Sequence, residues 1–157
     1  MSAHGYPPVK VGLIGLGTVG GGVTRVLARN AEEISRRAGR EIVITHAAAR
    51  NLDTTTANTA GMKLTGEGLE VVDDPEVSII VELMGGHEPA RSLVLRALAN
   101  GKHVVTANKA LIARHGNEIF AAASAAGMMV GFEAAVAGGI PIIKAIREGL
   151  AGNRLEW

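Results

Sequence analysis

The stretch VKVGLIGLGTVGGG, residues 9–22, decides how the rest of the chain is read. It begins as a short apolar run containing Val11, Leu13 and Ile14, then breaks into glycines. Gly15, Gly17 and Gly20 stand in the order G-x-G-x-x-G, and a helical pattern follows at once. A strand that turns sharply into a helix leaves unpaired N–H groups at the helix start, where the helix dipole adds partial positive charge. That combination holds a pyrophosphate. Gly15 would permit the tight turn, Gly17 would let the backbone approach the phosphates, and Gly20 would let helix and strand pack closely. In a chain with 21 glycines the motif also fits a ligand-free strand–helix turn. Its place after a buried-type strand, ahead of alternating strand and helix patterns, favours nucleotide binding.

Outward from this stretch the chain alternates. Val19, Val23, Val26 and Leu27 have the spacing of a helix facing a sheet, and that helix is expected to continue into the charged segment 32–40 and stop at Gly39. Residues 41–49 read as strand two. Residues 50–68 are rich in Thr, Gly and Asn and read as a loop with at most a short helix, and 69–72 fit a short strand. Strands follow at 77–84, 103–107 and 128–133. Helices follow at 88–100, closed by Gly101, at 110–126, closed by Gly127, and from Pro141 to about residue 150. Strand, helix, strand with short connections implies parallel strands joined by right-handed crossovers. The fold expected is therefore α/β, a Rossmann-type doubly wound parallel sheet. Residues 1–8 form an arm, residues 9–139 the dinucleotide-binding domain, and residues 140–157 a crossover helix. Ligands in such sheets gather at the carboxyl ends of the strands.

Composition agrees. Hydrophobic residues make up 47% but aromatics only 3%, so the core rests on Val, Ile, Leu and Ala, which suits a parallel sheet buried on both faces. A net charge of +1 with interspersed signs gives no nucleic-acid or membrane footprint. The absence of cysteine excludes disulfides, thiolate metal sites and a cysteine nucleophile within these residues. The start MSAHGYPP has no signal-peptide pattern, and the apolar stretch 128–146 is broken by Glu133, Pro141 and Lys144. A cytoplasmic protein is the expectation.

Three positions could carry chemistry. Arg50 ends strand two, where enzymes using NAD usually place Asp or Glu. An arginine there can pair with a 2′-phosphate and favours NADP, although a solvated arginine also fits. Asp53 lies close enough to act on the ribose, which keeps NAD open, and Lys63 is a further candidate for a phosphate. Lys109 opens a helix, where the dipole disfavours a cation by about 0.3–1 kcal/mol at an exposed site. Spacing alone favours a solvated lysine, with Asn108 as the helix cap. Glu133 precedes a glycine-rich turn. It fits a locally paired carboxylate, or a cation site with backbone carbonyls as co-ligands. His4, His46, His87, His103 and His115 show no metal-ligand spacing and read as structural or solvated.

The segments GLGTVGGGV (15–23), VELMGGHEPA (81–90), NGKHVVTANKALIA (100–113) and FEAAVAGGIPIIKAIREGL (132–150) together resemble homoserine dehydrogenase. The match covers most of the chain from residue 9 onward and is poor at 51–68. The last three segments are more specific than the glycine motif. The resemblance implies interconversion of L-homoserine and L-aspartate 4-semialdehyde with NAD(P), on the route to threonine and methionine. It implies that Gly15, Leu16, Gly17, Thr18, Val19 and Gly20 hold the pyrophosphate and that Arg50 contacts the 2′-phosphate. Gly85, Gly86 and Thr106 would lie along the cofactor. Lys109 would touch nicotinamide and substrate and take part in proton transfer. Glu133, with the carbonyls of Val136, Gly138 and Ile140, would hold a monovalent cation such as sodium. Members of the family continue into a substrate domain and a returning segment. These 157 residues alone are therefore expected to bind cofactor weakly or not at all, to turn over no homoserine, and to self-associate through Ile142, Ile143 and Ile146. Two other readings are a related oxidoreductase of the aspartate-semialdehyde dehydrogenase kind, which needs a nucleophilic cysteine, and a dinucleotide-sensing module without catalysis.

Overall fold

Strand β1, Val9–Ile14, is the centre of the molecule. In the computed structural model, which describes residues 5–52 and 57–154, β1 pairs in parallel with β2, Ile42–Ala48, on one side and β4, Ile79–Glu82, on the other. Strand β3, Lys63–Thr65, extends the sheet beyond β2. Strands β5, His103–Thr106, and β6, Val130–Gly131, extend it beyond β4. All pairings are parallel and the order is β3-β2-β1-β4-β5-β6. The strand order reverses between β1 and β4, and a crevice opens at the carboxyl ends of strands flanking such a reversal. Asp53 lies outside the described residues, as does His4.

Consecutive residues of β1 face opposite sides, and the core divides accordingly. Ile14 and Ala48 join a large cluster with Val71, Ile80, Leu93, Val94, Leu98 and Leu111. Leu13, Leu16 and Ala47 form a smaller one on the other side. The large cluster is covered by helices α3 (Gly68–Asp73), α4 (Ala90–Ala99) and α5 (Lys109–Ala126). Leu93, Val94, Ala97 and Leu98 form the buried face of α4, as their spacing implies. Gly127 closes α5 in the left-handed conformation.

Five expectations are corrected. The first helix does not run unbroken to Gly39. It divides at Asn30 into α1, Thr18–Arg29, and α2, Ala31–Ala38, which Gly39 ends at φ 73°. The fully buried residues of helix α1 are Gly20, Gly21 and Thr24, whereas of the expected stripe Val23 and Leu27 are half-buried and Val19 and Val26 exposed. Close backbone approach at Gly20 leaves Val19 and Val26 outside the core. Residues 63–65 of the presumed loop pair with β2, and residues 69–72 are the helix α3 rather than a strand. A four-residue apolar run cannot separate the two states by periodicity. Here Val71 and Val72 are both fully buried, and Gly68 sits where a Cβ would stand 2.7 Å from Leu93. Strand β6 is two residues long, paired only with β5. Finally, the segment after Pro141 is one α turn, α6 (Ile142–Lys144), widening into a π turn over Ala145–Gly149, with no buried residue in either.

Candidate functional site

A cleft of about 700 Å³ opens where the strand order reverses, within the range of small-molecule sites. Its floor is the end of β1 with Gly15, Leu16 and Gly17. Arg50 and Asn51 border it after β2, and Met84 and Gly85 after β4. The three motif glycines have different physical reasons. Gly15 lies at φ 105°, and a Cβ there would be 2.8 Å from the Leu83 carbonyl oxygen. At Gly20 a Cβ would be 2.0 Å from the Gly15 carbonyl oxygen. At Gly17 a Cβ would meet nothing within 4 Å. Gly15 and Gly20 are thus required by the fold itself, whereas the space beside Gly17 is open to a ligand. Gly17 is also the N-cap of α1 and offers no side-chain cap, so the first-turn N–H groups lack that partner. A pyrophosphate fits that cradle.

Arg50 is exposed and has no ion-pair partner among the described residues, which leaves its guanidinium for the cleft. Lys63 does not share that situation, since its Nζ lies 3.5 Å from Glu70. Glu67 and Glu88 also line the cleft. The Glu88 carboxylate accepts the hydroxyl and N–H of Ser92 at 2.7 and 3.3 Å, and these bonds with Arg91 hold it below the usual carboxylate range against the opposing effect of burial.

Thr106 and Lys109 are not on the wall of this cleft. The Thr106 hydroxyl is fully buried and donates to Glu82 at 2.6 Å. Asn108 caps α5, its Oδ1 accepting the Leu111 N–H at 3.1 Å, and its Nδ2 donates to the Gly86 carbonyl at 2.8 Å. Lys109 is exposed and its Nζ reaches the Ala134 carbonyl at 3.5 Å. Lys109 thus lies against the turn that follows Glu133. Glu133 itself accepts the N–H groups of Ile143 and Lys144 at 2.9 and 3.1 Å, acting as a cap for α6. The Ile140 carbonyl accepts the Ile142 N–H at 2.8 Å, Gly138 has φ 63°, and Val136 is exposed. Among the described residues no group of three His, Cys, Asp or Glu side chains is assembled for a metal, so a cation here would rest on one carboxylate and carbonyls.

Sequence reasoning missed Glu82, a fully buried carboxylate at the end of β4. The available signal was a lone acidic residue inside the run VSIIVELM, because a charge in a buried strand needs donors nearby.

Comparison with known proteins meets this geometry. The family model described as "Homoserine dehydrogenase, NAD binding domain" matches residues 15–133, the segment from the first motif glycine to Glu133. The chain belongs to the homoserine dehydrogenase family. It is 60% identical to the homoserine dehydrogenase of Pseudomonas aeruginosa over 150 residues, which are 96% of this chain and 34% of that protein. Against the homoserine dehydrogenase of Neisseria gonorrhoeae it is 52% identical over 149 residues, again 34% of that protein. The crystal structure of a homoserine dehydrogenase from Thiobacillus denitrificans superposes with a TM-score of 0.91 at 68% identity, over 96% of this chain and 35% of that one. The chain therefore spans about a third of the length of these relatives.

Proposed function

We propose that this chain forms the nicotinamide-dinucleotide site of an NADP-preferring enzyme that interconverts L-homoserine and L-aspartate 4-semialdehyde, in the biosynthesis of threonine and methionine. The observation that carries the reading is the exposed Arg50 guanidinium, without an ion-pair partner among the described residues, bordering a cleft whose floor is the Gly15–Gly17 turn. The N–H groups of Gly17, Thr18, Val19 and Gly20 at the start of α1 would hold the pyrophosphate, with Gly15 and Leu16 shaping the turn. Arg50 would fork onto the 2′-phosphate. Gly85 and Gly86 would lie along the nicotinamide half, with Thr106 supporting them from beneath. When bound, the cofactor supplies hydride transfer at its nicotinamide ring. Lys109, the exposed lysine at the start of α5, would exchange the proton at the substrate oxygen.

A monovalent cation such as sodium at Glu133, Val136, Gly138 and Ile140 belongs to the same proposal. It would have to displace or share the two N–H groups that Glu133 now accepts. No substrate enclosure surrounds Lys109 among the described residues, and these 157 residues alone are expected to oxidise no homoserine. Exposed Ile140, Ile142, Ile146 and Leu150 offer an apolar face for self-association. A second reading, use of NAD, is favoured by Glu67 and Glu88, whose carboxylates line the same cleft and could accept ribose hydroxyls.

Fluorescence titration of NADPH and NADH against the wild-type chain and Arg50→Ala tests the reading. Loss of one charge-assisted contact should weaken NADPH by roughly 10-fold or more and leave NADH nearly unchanged. Equal NADPH affinity in both proteins would remove the 2′-phosphate role.

A further inference from the structure

Glu82 is wholly buried, yet it lies on no wall of the cleft. A buried carboxylate is tolerated where donors satisfy it. The donors of Glu82 come from two turns at the carboxyl edge of the sheet. Oε1 accepts the Met84 N–H at 2.8 Å from the turn after β4. Oε2 accepts the Thr106 hydroxyl at 2.6 Å from the end of β5, and the Asn108 amide lies 3.5 Å from Oε1. The bonding continues outward. Thr106 Oγ1 accepts the Asn108 N–H at 3.0 Å, and Asn108 ties the Gly86 carbonyl to the Leu111 N–H. One connected set of hydrogen bonds thus spans from Gly86 to the first turn of α5, with Glu82 beneath it.

We propose that Glu82 is a positioning residue that fixes the turn carrying Gly85 and Gly86 against the turn carrying Lys109. The proposal rests on the reading that this end of the sheet receives the nicotinamide half of the cofactor. Lys109 has little to hold it otherwise: its side chain is exposed and, among the described residues, its Nζ hydrogen-bonds only the Ala134 carbonyl, at 3.5 Å. Its place is set through the backbone of Asn108, the next residue in the chain. An apolar side chain at position 82 would fill the same volume but leave the Met84 N–H and the Thr106 hydroxyl without this partner. A carboxylate accepts from both turns at once, and among the described residues no other acidic side chain takes part in this bonded set.

The test uses Glu82→Gln, which keeps size and shape but turns one acceptor into a donor facing either Met84 or Thr106. Amide hydrogen exchange is read first, without cofactor. The Met84 and Leu111 amides should exchange at least tenfold faster, while amides in β1 and α4 keep their rates. In titrations, NADPH and NADH should weaken five- to tenfold. ADP-ribose, which lacks the nicotinamide, should bind within twofold of wild type. Thr106→Val, which removes the Oε2 partner and the acceptor of the Asn108 N–H, should speed exchange at Leu111 and weaken NADPH in the same way, and the double variant should be no worse than the weaker-binding single one. Unchanged exchange at both turns, or equal loss of ADP-ribose and NADPH, would overturn the proposal. Should Glu82→Gln fail to fold, Thr106→Val carries the Leu111 exchange and the NADPH-against-ADP-ribose comparison. A wild-type chain that binds ADP-ribose while Glu82→Gln leaves NADPH affinity intact would overturn the positioning role and spare the cofactor reading. A wild-type chain that binds neither ligand would overturn the cofactor reading, and the exchange rates would still decide whether Glu82 ties the two turns.

Discussion

Alanine at Gly20 and alanine at Gly17 should have opposite consequences, although the two glycines belong to one motif. At Gly20 the new Cβ would stand 2.0 Å from the Gly15 carbonyl oxygen, whereas a carbon and an oxygen normally approach no closer than about 3.3 Å. Helix α1 must therefore lift from β1, or the Gly15 peptide must turn, by more than an ångström. The obstacle is backbone, so no rotamer relieves it, and overpacking of this kind costs about 3 kcal/mol, the upper part of its usual range. Replacing glycine by alanine inside a helix returns about 1 kcal/mol through propensity. The net loss of about 2 kcal/mol should lower the melting temperature by roughly 4–8 °C in a chain of this length. At Gly17 the Cβ meets nothing, and the cost is the poorer N-cap, about 1 kcal/mol or less. That methyl group, however, would project into the place where a pyrophosphate must approach. Thermal denaturation and NADPH titration of both variants form the assay. Gly20→Ala should lose the more stability, and Gly17→Ala should lose NADPH affinity by at least tenfold, or about 1.4 kcal/mol. The reasoning is refuted if Gly20→Ala melts at or above the wild-type temperature, or if Gly17→Ala binds NADPH as tightly as the wild type.

Other outcomes follow from the same structure. Gly12→Ala should destabilise by about 1–3 kcal/mol in a denaturant titration, because its Cβ would crowd Val71 of α3 and Ile80 of β4 at 2.6 and 2.9 Å. Asp74→Asn should expose a pH dependence. Burial works to raise the Asp74 carboxyl, but it is outweighed by the Glu76 N–H, the buried His46 whose Nδ1 lies 2.8 Å away, and the nearby Lys102 ammonium, so the group stays below its ordinary value. A depressed carboxyl stabilises fully above its unfolded pKa of about 4 and loses that contribution as pH falls through the folded value. Melting temperatures of wild type and Asp74→Asn should therefore differ at neutral pH and converge in acid. A homoserine oxidation assay on the 157 residues alone should give no turnover.

The glycine-rich turn, the parallel strand–helix alternation and the buried face of α4 were legible because each rests on local signals: a strand-to-helix glycine motif, short apolar runs, and an i, i+3, i+4 stripe. What was not legible was decided by contacts between distant residues. Residues 69–72 carry too short a pattern to choose a state, and the packing of Val71 and Val72 beneath α4 decides for a helix. Val19 and Val26 read as core, but the approach of Gly20 to Gly15 turns α1 so that they face outward. At the site, Arg50 and Gly85 were placed by their positions at strand ends. Glu82 was not, since its meaning depends on Thr106 and Asn108 arriving from another strand.

The central claim is that a dinucleotide occupies the cleft at the carboxyl ends of β1, β2 and β4. Backbone amide chemical shifts recorded during an NADPH titration test it most directly. The account predicts that the largest changes fall on Gly15, Gly17, Thr18, Val19, Gly20, Arg50, Gly85 and Gly86. Changes confined to the opposite end of the sheet, around Asp73, Asn100 and Lys102, or no changes at saturating NADPH, would contradict it.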